Sequence, residues 1–159
     1  GDEARFSPID FAPAYRLVHE KGYGCTVHAG EVVGPESVWA AIRDLPVTRI
    51  GHGVRSAEDP ALMAELARRG IVLEVCPGSN VALGLYASRE AHPLHRLIEA
   101  GVPVTLNSDD PPFFHTTLGT EYDMAGLSET ELRGIARRTI EASFVDADTK
   151  RRLLEKVLP

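Results

Sequence analysis

Short runs of apolar, β-branched residues alternate along the chain with longer stretches in which apolar residues recur at helical spacing. The short runs predict strands of a parallel sheet, and the longer ones predict amphipathic helices. The predicted strands cover residues 24–28, 47–52, 71–76 and 102–107. The predicted helices cover residues 8–21, 35–45, 59–69 and 92–100, and the chain is expected to stay helical from about residue 121 to 158.

Residues that typically begin and end helices support these boundaries. Ser7-Pro8 is a helix start, and Gly22, Gly70 and Gly101 stand where C-terminal caps belong. Residues 128–131 predict a capping box for one of the later helices.

The spacing of strands and helices predicts βαβ crossovers and a parallel sheet, and therefore an α/β fold. Four strands are too few for a complete (β/α)8 barrel, which takes about 250 residues. Periodicity alone leaves two architectures open, a small open sheet or half of a barrel. No linker, low-complexity segment or stronger repeat interrupts the chain, so residues 1–159 are expected to form one domain.

Composition narrows the range of partners. A net charge of −6 disfavours a polyanion such as duplex DNA, but leaves an uncharged nucleoside open as a ligand. The two cysteines, Cys25 and Cys76, lie in strand-like apolar runs, so buried thiols are expected rather than a disulfide. We expect no signal peptide, no membrane span and a cytoplasmic location.

Acids and histidines gather where the predicted strands end. His28 ends the first strand with Glu31 shortly after it, His52 ends the second, and Asp109-Asp110 follow the fourth. Taken singly, each is also compatible with a polar strand end or a solvated turn. The carboxyl ends of parallel strands meet at one edge of the sheet, which binds ligands in α/β proteins. Histidine and carboxylate from different strands can form a mononuclear metal site, so a metal-dependent hydrolase is predicted.

Other polar residues give weaker signals. Residues 76–80 follow the third strand and predict a tight turn that could line a pocket. His19, His92 and His95 fall within predicted helices and are expected at the surface or between helices. His115 lies in the loop after the fourth strand and could face the cavity.

Taken together, these motifs resemble the adenosine deaminase family, a branch of the amidohydrolase-type metal-dependent barrels. The resemblance agrees in order and spacing over essentially the whole chain. It is carried by Gly1-Asp2-Glu3, Val27-His28-Ala29-Gly30-Glu31, Arg49-Ile50-Gly51-His52-Gly53, Glu74-Val75-Cys76-Pro77-Gly78-Ser79-Asn80 and Leu106-Asn107-Ser108-Asp109-Asp110-Pro111. It implies the C-terminal half of a TIM-type (β/α)8 barrel, about four βα units plus terminal helices, with one zinc ion in each complete active site.

The resemblance also implies a role for each residue of the reaction centre. His28 and Asp109 correspond to two of the zinc ligands. Glu31 corresponds to the acid that protonates the purine at N1 and so makes C6 electrophilic. His52 corresponds to the residue that holds and helps activate the attacking hydroxide.

Two further residues are implied to bind the substrate. Asp110 corresponds to the group that hydrogen-bonds N7 of the base, and Gly1 to a backbone contact near N3. The implied reaction is hydrolytic deamination of adenosine or deoxyadenosine, which gives inosine and ammonia from adenosine. Adenine and aminodeoxyfutalosine are alternative 6-aminopurine substrates. Gly51-His52-Gly53 favours the adenosine-type enzymes, since adenine deaminases tend to carry an acid before this histidine.

One departure from the family concerns the metal. The family takes two more zinc ligands from a His-x-His motif at the end of its first strand, and this chain has no His-x-His. The chain is therefore expected to cover only the C-terminal half of the barrel, to bind zinc weakly and to be inactive alone. An open half barrel would expose two sheet edges and an apolar face, which predicts pairing with the missing N-terminal half or with another copy.

Hypotheses from two other classes remain. A non-catalytic half-barrel module that acts through association would keep these residues without needing zinc. An open-sheet nucleotide-binding protein is disfavoured, because the chain has neither a Gly-x-Gly-x-x-Gly motif after a strand nor a Gly-x-x-x-x-Gly-Lys loop.

Overall fold

Four parallel strands form the centre of the chain in a computed structural model, which describes residues 3–157. The strands are β1 (Thr26–Ala29), β2 (Arg49–His52), β3 (Val72–Val75) and β4 (Val104–Leu106). They pair in sequence order, and every pairing is parallel. The predicted α/β fold is confirmed, and each predicted strand is present but shorter than its apolar run. Among the described residues, β1 and β4 each have one strand neighbour and form the two edges of the sheet.

Helices connect the strands and follow the last one. One 3₁₀ turn over Pro8–Phe11 precedes the first α-helix, and another over Val54–Glu58 follows β2. The α-helices are α1 (Ala12–Glu20), α2 (Pro35–Asp44), α3 (Pro60–Arg69), α4 (Pro77–Ala82), α5 (Leu94–Glu99), α6 (Pro111–Phe114), α7 (Leu118–Asp123), α8 (Glu129–Ala142) and α9 (Ala147–Val157). No helix in the part of the chain that the structure describes is long and apolar enough to cross a membrane.

Local sequence sets several helix ends, of which the capping box of residues 128–131 and the end at Gly70 were predicted. The Ser128 hydroxyl accepts a hydrogen bond from the Glu131 N–H, and the Glu131 carboxylate accepts one from the Ser128 N–H, which completes the capping box of α8. Asp59 caps α3 by accepting from two backbone N–H groups of its first turn. Gly70 ends the same helix with a φ of 66°, a left-handed conformation that glycine adopts without steric cost.

Proline accounts for three differences from the predicted helices. Pro13 lacks a backbone N–H and therefore starts a new helix, so the segment 8–21 divides into a 3₁₀ turn and α1. Pro93 is the N-cap of α5, which begins at residue 94 instead of 92. Pro77 occupies the first position of α4, so residues 77–82 form a short helix where a tight turn was predicted.

One face of the sheet is covered by helices. Val27, Ile50, Leu73 and Val104 align in register across the four strands, and all of them are buried. They pack in one cluster with apolar residues of α2, α3, α5 and α8. Burying such a side chain contributes about 1.5 to 3 kcal/mol, so this layer supplies the main core. Cys25 and Cys76 are free, buried thiols, as predicted.

The opposite face is polar where the strands begin. Thr26 Oγ1 donates to Glu74 Oε2 at 2.7 Å, and Arg49 Nε lies 3.1 Å from Glu74 Oε1. The Arg49 guanidinium also stacks on the Phe144 ring, 3.9 Å from its centroid. This polar network corrects the expectation that the open face would be apolar. Exposed apolar side chains are spread over the described residues, and one group of them lies near the first 3₁₀ turn and α1, at Phe6, Ile9, Phe11, Leu17 and Val18.

Candidate metal centre and active site

The carboxyl ends of the strands bring two groups of potential metal ligands together. The ligand atoms of His28, Glu31 and His52 all lie within 4.8 Å of one another, and so do those of His52, Cys76 and Asp109. His52 belongs to both groups, and its Nε2 lies 3.9 Å from Asp109 Oδ2. Four residues singled out from the sequence therefore share one edge of the sheet, with the Cys76 thiol as an additional neighbour.

Left-handed backbone at two of these residues shapes the site. His52 has a φ of 62° and Asp109 a φ of 57°. His52 pairs with Ala29, whose side chain is buried on the helix-covered face, so regular strand alternation would direct the His52 side chain to that face too. The left-handed backbone interrupts this alternation and places the His52 ring beside Glu31. Among the described residues, His115 is the only other non-glycine residue with positive φ. Such strained backbone is uncommon and concentrates at functional sites.

Glu3 holds the loop that follows β1. Its carboxylate accepts hydrogen bonds from the successive backbone N–H groups of residues 30–33. One carboxylate oxygen lies 3.4 Å from His28 Nε2, and the Glu3 side chain is only 3% exposed. Burial raises the pKa of Glu3, but the hydrogen bonds from His28 and the loop outweigh burial and lower it to about 2. Ionised Glu3 thus anchors both His28 and the loop that carries Glu31.

Glu31 is a buried carboxyl group with three polar neighbours. Its Oε1 accepts a hydrogen bond from Asn80 Nδ2 at 2.8 Å and lies 3.2 Å from His52 Nδ1. Its Oε2 lies 3.5 Å from His28 Nε2. Burial raises the pKa of Glu31, and the nearby carboxylates raise it too, by more than His28 and Asn80 lower it. A raised pKa lets a carboxyl group hold its proton closer to neutral pH, which a general acid requires.

The two site histidines differ in their protonation. A hydrogen bond to Glu3 raises the pKa of His28 by more than burial lowers it. Burial, together with the charge of His28, lowers the pKa of His52 to about 4, so His52 is neutral at pH 7. The buried Nδ1 of His52 makes no hydrogen bond of good geometry to the described residues, although Glu31 lies nearby. The rings of His28 and His52 are in edge contact, with centroids 4.7 Å apart.

The imidazole and carboxylate groups of the site fit a divalent cation. Imidazole nitrogens and carboxylate oxygens are the ligands that zinc takes in hydrolases, and a neutral imidazole is the form that binds it. A buried ring nitrogen without a hydrogen bond is also a group that a cation or an ordered water would satisfy. A cavity of about 430 Å³ adjoins the ligands and is lined by His52, Cys76, Asn107 and Asp109, among others. Its volume is in the range of small-molecule sites, roughly 300 to 1,000 Å³.

Comparison with known proteins identifies the family. The family model described as adenosine deaminase matches residues 1–159, and thus the whole length of the chain. The chain belongs to the adenosine deaminase family.

Two adenine deaminases and a zinc-containing amidohydrolase are among its relatives. The adenine deaminase of Rhizobium leguminosarum bv. trifolii is 49% identical over 161 residues, which cover 99% of this chain and 50% of the relative. The crystal structure of an adenine deaminase from Arthrobacter aurescens matches with a TM-score of 0.93 and 31% identity, over 99% of this chain and 49% of that one. An amidohydrolase from Burkholderia ambifaria with bound zinc matches with a TM-score of 0.89 and 27% identity, over 99% of this chain and 45% of that one.

This adenosine deaminase family chain spans about half the length of the curated relatives it matches. Its four parallel strands with connecting helices correspond to half of a TIM-type barrel. The family and the half-barrel fold predicted from the sequence are therefore confirmed.

Of the two residues predicted to bind substrate in this deaminase-family site, only Asp110 is among the described residues, and it belongs to neither group of potential metal ligands. Asp110 is exposed just before α6, and its side chain makes no capping hydrogen bond. Gly1 lies outside the described residues. The structure adds Glu3 and the hydrogen-bonded pair Asn80 and His92 to the site. His92 was expected at the surface or between helices, and it is buried. Pro93, which follows it and is the N-cap of α5, was the sequence signal that His92 lies outside that helix.

Proposed function

We propose that the protein carrying this chain removes the 6-amino group of a purine by hydrolysis, and that its substrate is adenine. One water is consumed, and hypoxanthine and ammonia are formed. The glycines on either side of His52 favoured adenosine as the substrate. The relatives named adenine deaminase support adenine instead. The observation that carries the proposal is the buried carboxyl group of Glu31, whose pKa is raised, between His28 and His52.

Glu31 is the proton donor in this proposal. An aminopurine resists attack at C6 until a ring nitrogen is protonated, because protonation draws electrons away from that carbon. A positioned carboxyl group that keeps its proton towards neutral pH can deliver it to N1, and such general acids contribute about 10²- to 10⁴-fold to rate. Burial supplies the necessary rise in the pKa of Glu31.

His28 and Asp109 are the proposed zinc ligands of this chain. Zinc, when bound, lowers the pKa of its water to about 7 and so makes a nucleophile available at neutral pH. Neutral His52 lies between the two ligand groups and can orient the attacking water through a ring nitrogen. The attacking water releases two protons in the reaction. One goes to the departing amino group, which leaves as ammonia, and the other replaces the proton that Glu31 delivers to N1.

Asp110 and Gly1 are the proposed contacts to the base. Asp110 follows Asp109 directly and is exposed, so its carboxylate can accept a hydrogen bond at N7 when that nitrogen is protonated or bridged by water. Gly1 is assigned to a backbone contact near N3. Both assignments rest on the motifs in which these residues stand.

We infer that the N-terminal half of a barrel completes this site, within the same polypeptide or as an associated fragment. Catalytic zinc sites have at least three protein ligands, whereas this chain supplies two in the proposed assignment. The relatives, which are about twice as long, support this inference. Alone, the chain is proposed to bind zinc weakly, to lack activity and to cover its open sheet edges by self-association.

The test compares this 159-residue chain with an extended barrel, in which the N-terminal half of the Rhizobium leguminosarum relative precedes it. Each is supplied with zinc and with adenine or adenosine, and deamination is followed by ultraviolet absorbance. We expect turnover of adenine by the extended barrel alone. Preference for adenosine would reverse the substrate assignment. Absence of turnover in a folded, zinc-containing extended barrel would contradict deamination of either compound and favour another aminopurine or a non-catalytic module.

A further inference from the structure

Three hydrogen bonds connect the start of α5 to Glu31. The Leu94 N–H donates to His92 Nδ1 at 3.1 Å, His92 Nε2 lies 3.1 Å from Asn80 Oδ1, and Asn80 Nδ2 donates to Glu31 Oε1 at 2.8 Å. Asn80 is completely buried, and His92 is 4% exposed. Water therefore does not compete for these groups, and the bonds form a continuous relay.

The donor at one end sets the direction of the whole relay. A backbone N–H can only donate, so His92 Nδ1 must accept and carries no proton. Burial and the nearby charge of Arg89 lower the pKa of His92 to about 4, so the ring is neutral at pH 7 and its proton lies on Nε2. His92 then donates to the oxygen of Asn80, and the amide must present its amino group to Glu31.

We propose that His92 is a positioning residue for the deamination: it fixes the orientation of the Asn80 amide and, through it, the rotation of the Glu31 carboxyl group. This inference rests on the proposed role of Glu31 as proton donor. Asn80 engages Oε1, which leaves Oε2, 3.5 Å from His28 Nε2, as the oxygen directed into the site. Reactive groups need to be held within about 0.5 Å of their productive geometry, which a freely rotating carboxyl group does not satisfy.

A buried carboxylate holds both segments that carry the relay. Glu121 is completely buried and pairs with both terminal nitrogens of Arg89, at 2.9 and 2.8 Å. It also accepts a hydrogen bond from the Gly78 N–H at 3.0 Å. Arg89 lies three residues before His92, and Gly78 lies two residues before Asn80. The geometry of the relay is therefore fixed from outside the active site.

Three variants separate positioning from packing. His92→Phe keeps the ring that packs on Tyr86, with centroids 4.9 Å apart in the native protein, but removes both nitrogens. His92→Gln restores an N–H donor near the position of Nε2. His95→Phe is the control for a histidine outside the relay: His95 is exposed, and its ring makes one hydrogen bond, to the Ala125 carbonyl at 3.0 Å.

In the extended barrel, we expect His92→Phe to lower kcat about 10- to 100-fold while KM changes less than about threefold. His92→Gln should recover most of kcat, and His95→Phe should leave it unchanged. Zinc content and thermal unfolding are measured in parallel. Native kcat in His92→Phe would overturn the proposal. Equal loss in the Phe and Gln variants would overturn it too, since it would show that the ring matters only for packing.

A second readout does not depend on turnover. In protein labelled with ¹⁵N-asparagine, the Asn80 side-chain amide is assigned from the signal that Asn80→Ser removes, and its exchange with solvent is measured. We expect slow exchange in the native protein and in His92→Gln, and fast exchange in His92→Phe. Unchanged exchange in His92→Phe would refute the relay. If the extended barrel deaminates no purine but shows the expected exchange rates, the relay is supported and the proposed function is wrong.

Discussion

The buried ion pair between Arg89 and Glu121 gives the sharpest prediction for stability. The Glu121 side chain is 0% exposed and that of Arg89 is 16% exposed. Replacing Arg89 with alanine leaves the carboxylate with the Gly78 N–H as its remaining partner among the described residues. Removing one member of a buried pair typically costs about 3 to 5 kcal/mol, because the other charge stays desolvated without compensation. We expect Arg89→Ala to lower the free energy of unfolding by that amount.

An exposed pair in the same chain provides the control. Arg133 and Glu129 lie one turn apart on α8, with an N–O distance of 2.7 Å and side chains that are 50% and 79% exposed. Exposed pairs contribute about 0.2 to 1 kcal/mol, since water and salt screen them. Arg133→Ala should therefore cost several-fold less than Arg89→Ala.

The assay is urea unfolding at pH 7, followed by circular dichroism, with the slopes of the transitions compared between variants. Adding Glu121→Gln to Arg89→Ala should recover part of the loss, because it removes the uncompensated charge and keeps an acceptor for the Gly78 N–H. Equal losses for Arg89→Ala and Arg133→Ala would refute the argument that burial sets the magnitude. A double variant as unstable as Arg89→Ala would show that packing, and not charge, accounts for the loss.

Three further predictions concern catalysis, pH and backbone strain. Glu31→Gln in the extended barrel should lower kcat about 10²- to 10⁴-fold with zinc content retained, and an unchanged kcat would exclude Glu31 as the proton donor. Hydrogen bonds from Trp39 and the first turn of α3 lower the pKa of Asp59, so its stabilising effect is complete above the ordinary aspartate pKa of about 4 and is lost as pH falls through the lower, folded value. The fluorescence of Trp39, the single tryptophan, should report this loss as pH falls. An identical change of fluorescence with pH in Asp59→Asn would contradict the prediction. Gly53→Ala should destabilise the fold by about 1 kcal/mol or more in urea unfolding, because Gly53 has a φ of 66° and a Cβ there would lie 2.6 Å from a side-chain carbon of β3. Gly134→Ala, with nothing within 4 Å of the new methyl group, should cost nothing, and equal effects of the two alanines would refute the argument.

Much of the architecture follows from local sequence. Alternating apolar runs and amphipathic stretches determined the four strands and their parallel direction, because a crossover helix makes successive strands run the same way. From that shared direction, His28, Glu31, His52 and Asp109 could be predicted at one edge of the sheet, and the structure gathers them there. The boundaries of helices were less predictable where proline, as at Pro13, ends one turn and starts another.

Tertiary structure alone decided how the site residues are held. Glu3 reaches a loop 27 to 30 residues away, and Asn80 reaches Glu31 across 49 positions. The left-handed backbone that places His52 beside Glu31 also leaves no signature in the spacing of side chains. Periodicity reports which residues are buried, since burial repeats with each turn or strand step. A buried polar group takes whichever partner packing brings within 3 Å or so, and that partner is set by the fold and not by its neighbours in sequence.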